Sequence, residues 1–468
     1  MSDQSIGRRK LLKLSGISLA GGMMTVSSMP RVVAQDPVSS PIDVRVLNAR
    51  DRVPMSFIID DSTCLVNMGH FCMPQFAEAW PTRPIYQQPW QEWPREIPDA
   101  FVREFGEWCA EQGVRGKYSI VPYPACVGWM DRGLPGWSKQ ALQDSLSLVR
   151  DLMMPHWDIH PEMITHTRVI DLKTGRPMES ADASTMENSY PQTDISTDHL
   201  AEYLAYALQI LKNCGLTCEG ITTPGGFGNR VKDKLPIAVH QAVRDVFSTE
   251  LPHYFKYVHA GDQSTDPKLE FIGSQRTIDN LTVNVPAGTG DWFGGWEGTQ
   301  AVAGDKYCNA DATAGRMVEM IQRGQPAVML CHWPGLYCNG AKTGFTAFQK
   351  VVLALAERYG DRTQWMKLSE IARYAAAKEF VTFSGPTGIT GPGDSILAIK
   401  SPIRCDGFTF EIATRAKSTT LSITQAGQMR NLKEVASRKD LIHDSFTREA
   451  DNTVVCVNIA KGDAMLVL

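Results

Sequence analysis

The sequence predicts an α/β chain, a deformed (β/α) barrel of about seven βα units followed by a small all-β C-terminal domain. Three observations predict it. From residue 53 onward, short apolar, β-rich runs alternate with amphipathic helical stretches, the pattern of parallel βα units. Several of those runs end in acids or histidines, as barrel strands do at the end where chemistry is assembled. A Gly/Pro-rich stretch begins at Ser384-Gly385-Pro386 and runs to Gly393, and beyond it the apolar period drops to two.

The first strand, Met55-Ser56-Phe57-Ile58-Ile59-Asp60-Asp61, is an apolar run closed by two adjacent carboxylates. Two like charges this close require a cation or a shared proton. Alternation turns neighbouring side chains different ways, so one acid can face a metal and the other a substrate. An Asp-rich turn leaves the same pattern. Residues 67–93 read as a long irregular loop with Trp80, Tyr86, Trp90 and Trp93. Such a loop either stacks on sugar rings or is pinned to the core by its own tryptophans.

Residues 97–112 read as a helix, with Phe101, Phe105, Trp108 and Cys109 at helical spacing and Gly113 as the stop. A strand over 116–121 follows, then a helix over 138–153 capped by Ser138. A third strand lies within 159–167 and a helix over 198–213. The strand 219–223 runs into Pro224-Gly225-Gly226-Phe227-Gly228, and 236–246 is helical. A helix over 311–323, with Asp311 as its cap, precedes the strand 326–330, which ends at Cys331-His332-Trp333. Residues 345–359 form a long helix, and 365–377 start as a strand and become a helix near Ser369. No GxGxxG or GxxxxGK[ST] phosphate loop follows the first strand, which argues against a nucleotide enzyme. Beyond the linker, Phe408, Phe410, Ile412, Leu421, Ile423, Val455, Val457 and Ile459 alternate with polar positions, as in a small β-sandwich.

The N-terminus reads as a targeting segment. Arg8-Arg9-Lys10-Leu11-Leu12-Lys13, a weakly apolar stretch over 14–26 and the small-residue site Val32-Val33-Ala34 resemble a twin-arginine export signal. The apolar stretch is short for a membrane span. The chain therefore divides into the signal (1–34), the barrel (35–383) and the β-domain (394–468). The mature part is expected in the periplasm or outside the cell, with no stable membrane insertion. A net charge of -4 over 468 residues, with no basic patch after the N-terminus, argues against a nucleic-acid partner. The 11 cysteines lack the CxxC spacing of a zinc ribbon, and their pairing is not legible.

Polar residues gather at strand ends: Asp60 and Asp61, the segment His160-Pro161-Glu162-Met163-Ile164-Thr165-His166, the turn at Pro224, and His332. In a parallel barrel these ends open on one face. Carboxylate and imidazole donors suit a divalent metal such as zinc. A carboxylate left off the metal can act as general base on water, and a histidine across the site can protonate the leaving group.

These motifs, in this order, resemble the polysaccharide deacetylase (NodB-homology) superfamily, of which the chain reads as a divergent member over residues 53–378. The motifs are Phe57-Ile58-Ile59-Asp60-Asp61, Glu162-Met163-Ile164-Thr165-His166, Thr223-Pro224-Gly225-Gly226, Val328-Met329-Leu330-Cys331-His332 and Met366-Lys367-Leu368-Ser369-Glu370-Ile371-Ala372. The resemblance implies Asp60 as catalytic base, Asp61 and His166 as metal ligands, and His332 as general acid. Two departures stand out. The second metal histidine is expected at position 170, which is Ile170, and the arginine expected before the Pro-Gly turn is replaced by Thr222-Thr223. His160, on the same strand face as His166 if the strand is regular, is the expected third ligand, with Asp171 and His70 as other candidates. Pro224, Gly225, Trp292 and Trp333 are the candidate substrate contacts. The resemblance implies an exported, metal-dependent hydrolase, with zinc as the cofactor, that removes N- or O-acetyl groups from a carbohydrate. Two rivals remain: a barrel that binds glycans without turnover, and a glycoside hydrolase pairing Asp60 with Glu297.

Overall fold

The computed structural model describes residues 43–468 apart from 62–63, 181, 296–300, 386–395 and 414–419. The export signal, most of the linker and Glu297 lie outside the described residues.

Among the described residues seven strands form the ring of the barrel, Val53–Asp60, Gly116–Ile120, Trp157–Pro161, Gly220–Thr222, His253–Phe255, Leu281–Asn284 and Ala327–His332, and the short strand Thr363–Trp365 pairs in parallel with the start of the first. The first three pair in parallel in chain order, and the seventh pairs in parallel with the first, His332 standing opposite Asp60. A parallel bridge between Glu162 and Thr222 joins the third strand to the fourth, and the fourth, fifth and sixth again pair in parallel. Gly288 N–H donates to the Val328 carbonyl at 2.9 Å and closes the ring between the sixth and seventh strands. That seam is the deformed one. Along its whole length the sixth strand pairs antiparallel with the extra strand Lys268–Phe271 instead.

The first strand is buried along all of its length, which is why it reads as an unbroken apolar run. Its outward residues Met55, Phe57 and Ile59 pack under the surrounding helices, with Phe57 stacked on Phe348 of the helix Thr343–Tyr359 at 4.4 Å between ring centroids. Ser56, Ile58 and Asp60 alternate with these and face inward. The same alternation turns Lys117 and Ser119 inward from the second strand, and Asp158 and His160 from the third. The barrel interior is therefore polar along one side, and each buried charge there needs a partner.

Four elements differ from the sequence reading. Residues 67–93 contain a helix, Met68–Ala79, started by the Asn67 side chain, which accepts from Gly69 N–H at 3.1 Å. Pro74 inside it hides the helix from a sequence reading. The helix expected from Asp311 begins at Arg316, because the Asn309 side chain takes the N–H groups of Thr313 and Ala314 and holds that stretch as a loop. The fifth and sixth strands are three and four residues long, too short to stand out.

The C-terminal region is a sandwich of two five-stranded sheets. Phe408, Phe410, Val455 and Val457 of one sheet and Leu397, Ile399 and Leu466 of the other fill its core. The strand Val44–Val46, which precedes the barrel in the chain, joins the sandwich by pairing antiparallel with Cys405–Ala413. The helix Leu368–Phe380 links the two units: the Tyr374 hydroxyl donates to the Leu47 carbonyl at 3.0 Å and accepts from Thr409 N–H at 3.1 Å. Among the described residues no helix is long and apolar enough to cross a membrane.

Candidate active site

The C-terminal ends of the first, third and seventh strands open into one cavity of about 450 Å³. Asp60, Asp61, Glu162, His166, Asp291 and His332 line it, with Phe76, Ile85, Tyr86, Phe255 and Val258 as its apolar wall.

Asp60 is the last residue of the first strand and is buried. Lys117, fully buried on the second strand, places its ammonium on Asp60 Oδ1. Ser119 Oγ accepts from Lys117 Nζ at 2.6 Å and donates to Asp60 Oδ1 at 3.0 Å. Burial pushes the Asp60 carboxyl up to about 6, reinforced by the charge of Glu162 and opposed by Lys117 and His332. Such a group is ionised at neutral pH and still basic enough to take a proton.

Asp61 leaves the strand in the left-handed region, at φ 54°, and turns its carboxylate away from that of Asp60. It meets Glu162 and His166, and the ligand-type atoms of the three lie within 4.8 Å of one another. His166 Nε2 stands 2.6 Å from Asp61 Oδ1 and 3.5 Å from Glu162 Oε1. Asp61 N–H donates to Glu162 Oε2 at 2.9 Å. Burial acts to raise Glu162, but His166, Lys117 and that N–H hold it down at about 2. Burial acts to lower His166, but Asp61 and Glu162 outweigh it and push the imidazole up.

This cluster fits a divalent cation. Among the described residues Asp61 Oδ1 is buried without a well-aligned hydrogen-bond donor, although an imidazole nitrogen lies within contact distance. Two carboxylates and an imidazole are the donor types of zinc and its neighbours. Three protein donors also leave a position open for water or substrate.

The loop carrying His166 is held by a carboxylate that the sequence reading did not single out. Glu187, fully buried, accepts the N–H groups of Ile164 at 3.1 Å, Thr165 at 3.0 Å and His166 at 2.5 Å, and the Tyr203 hydroxyl at 2.5 Å. Met163 and His166 both sit at positive φ, 53° and 64°, and these hydrogen bonds hold that turn. Burial raises the Glu187 carboxyl to about 7. Glu187→Gln puts an amide donor where an acceptor is required. It is expected to cost about 1–3 kcal/mol of stability and to loosen metal retention. Thermal unfolding and metal content after gel filtration check this, and an unchanged melting point would count against the role given to Glu187.

His332 enters from the seventh strand. Its Nδ1 lies 2.6 Å from Asp291 Oδ2, and its backbone N–H donates to the same oxygen at 3.1 Å. This contact aims Nε2 at the cavity, 3.5 Å from Asp61 Oδ2. Burial acts to lower His332, but Asp61, Asp291 and Asp60 together push it up to about 10, so it carries a proton to give. On the opposite wall Lys256 donates to the Phe227 carbonyl, and burial brings its ammonium down to about 8.

The fold thus brings together Asp60, Asp61, His166, His332 and Gly225 of the residues singled out in the sequence. Others stand apart. His160 is inside the barrel with its Nε2 2.9 Å from that of His253, away from the cavity lining. The strand ends at Pro161 and the chain turns at Met163, so the even spacing from His160 to His166 no longer sets a common face. The second carboxylate of the cluster is Glu162, four residues before His166, while Ile170 is buried in the core. Asp171 sits in a short hairpin, where it accepts from Lys173 N–H at 2.8 Å, and His70 Nδ1 contacts the Trp93 carbonyl at 2.9 Å. Trp333 is buried against Phe105 and Tyr118, and Trp292 packs on Tyr307, with ring centroids 5.0 Å apart. Pro224 is outside the lining, between Thr223 and Gly225. Lys117, Asp291 and Glu187 stand at or brace the candidate site without having been singled out in the sequence, and Glu162 was read only as part of a motif. The signals available for Lys117 and Asp291 were a lysine inside a strand and an acid just past a strand end.

No family model matches the chain, and no curated protein does. Among solved structures it is similar to an endo-β1,6-glucanase at 10% identity over 90% of each chain, with a TM-score of 0.29. It is similar to the Thermotoga maritima α-fucosidase at 9% identity over 93% of this chain and 98% of that one, with a TM-score of 0.30. The catalytic domain of a GH30 xylanase C from Talaromyces cellulolyticus matches at 8% identity over 92% and 98%, with a TM-score of 0.27. Likenesses this remote carry no weight for the activity.

Proposed function

We propose that the chain is an exported, metal-dependent hydrolase that removes N- or O-acetyl groups from a carbohydrate, as its resemblance to the polysaccharide deacetylases implies. One observation carries the reading: a three-donor cluster, a separate carboxylate and an acid-oriented imidazole all face one cavity. Asp61, Glu162 and His166 would hold the cation, which when bound polarises the acyl carbonyl as a Lewis acid.

The chain's own residues do the rest. Asp60, fixed by Lys117 and Ser119, takes the proton of the attacking water. His332, turned by Asp291, donates the proton at Nε2 to the departing amine or alcohol. Tyr86, braced by Phe76, gives an apolar wall against which a sugar face can pack, and Lys256 offers a hydrogen-bond donor to its hydroxyls. Export rests on the N-terminal segment alone.

The test is acetate release from acetylated xylan and from chitin oligosaccharides, with and without a chelator. Acetate release that stops on chelation and returns with zinc is the expected result. Cleavage of the glycan chain without acetate release would move the assignment to a glycoside hydrolase. Tight binding with neither product would leave a glycan-binding barrel.

A further inference from the structure

Below the cavity, inside the barrel, lies a second group of metal-type donors. Asp158 and His160 project from the third strand, two residues apart and therefore on one face. His253 projects from the fifth. One donor atom from each lies within 4.8 Å of the others. His160 and His253 are fully buried and Asp158 is 9% exposed, and none of the three lines the cavity above.

We propose that Asp158, His160 and His253 bind a second divalent cation, zinc by donor type, with a structural role. Two features beyond the cluster point there. The two Nε2 atoms face each other at 2.9 Å, and only a glycine at position 220 lets both rings in: a Cβ there would stand 2.7 Å from the Nε2 of His160 and 2.9 Å from that of His253. Two of the three ligands also have outer partners of the kind that fix metal-binding side chains. Thr222 Oγ1 lies 3.3 Å from His160 Nδ1, and the Asp158 carboxylate accepts Ser369 N–H at 2.6 Å and Ser369 Oγ–H at 2.7 Å.

Zinc–nitrogen bonds of about 2.0–2.1 Å set a tetrahedral edge near 3.4 Å, so the rings would part by about half an ångström. A water would complete the coordination. Ser369 lies on the helix Leu368–Phe380, which carries Tyr374 to the sandwich. The cation would thus tie the third and fifth strands to the helix that joins the two units. A proton shared between the two imidazoles accounts for the same close approach, and metal content separates the two.

The experiment uses the mature chain and its Asp61→Ala/His166→Ala variant, which leaves the interior cluster untouched. Both are stripped with a chelator, reloaded with zinc and passed through a desalting column. About two equivalents in the wild type and about one in the variant are expected, with zinc-edge absorption of the variant fitting two imidazole ligands. Loss of all zinc from the variant overturns the proposal and leaves the cavity site standing. Zinc retained with fewer than two imidazoles overturns it as well. Zinc retained only by the variant's interior cluster, and absent from the cavity in the wild type, supports it while removing the hydrolase reading.

Discussion

Asp60→Asn is expected to lower kcat/KM for acetate release by about 10²–10⁴-fold. The amide keeps the shape of the carboxylate and loses its basicity, so the attacking water keeps its proton. Asp60 lies next to the three-donor cluster without belonging to it, so the cavity metal should remain at wild-type stoichiometry. Removing the carboxylate also strands the Lys117 ammonium in the barrel, and part of any loss of activity could come from a destabilised fold. The combined variant Asp60→Asn/Lys117→Met separates the two effects. It has no charge to strand, and its activity should stay as low as that of Asp60→Asn while its melting point recovers. A fall of less than tenfold in either variant would remove Asp60 from the role of base.

Three of the site residues that were legible in the sequence share one property: each is a polar residue that abruptly ends an apolar run. Asp60, Asp61 and His332 do so, and the strand order then brings them to one rim. Residues whose role depends on the far side of the barrel gave no such signal. Glu187 sits in a polar segment outside the strands, and its meaning comes from three N–H groups 21 to 23 residues earlier. The fifth and sixth strands carry buried His253 and Asn284, which break any apolar run. Trp333 misled because it follows His332 directly, and neighbours along an extended chain face opposite ways. The strand Val44–Val46 could not be assigned to the sandwich, because its pairing partner Cys405–Ala413 lies across the whole barrel sequence.

Lys117 makes the sharpest stability claim. Lys117→Met should destabilise the fold by about 3–5 kcal/mol, the cost of leaving one partner of a buried ion pair uncompensated. The side chain is fully buried, Asp60 is 5% exposed, and among the described contacts the ammonium is held by Asp60 and Ser119. Methionine matches the length of the lysine stem and removes only the charge, so lost packing contributes little. Asp60 would then face the charge of Glu162 with its buried cation gone, and it would take up a proton more readily. Adding Asp60→Asn should recover most of the stability, because exchanging a whole buried pair for neutral groups is close to neutral where breaking it is not. A double-mutant cycle on thermal or urea unfolding reads the coupling directly. Near-additive losses would mean that Lys117 holds the barrel through packing alone. A large favourable coupling would mean that Lys117 holds the barrel through its charge pair with the Asp60 carboxylate on the neighbouring strand.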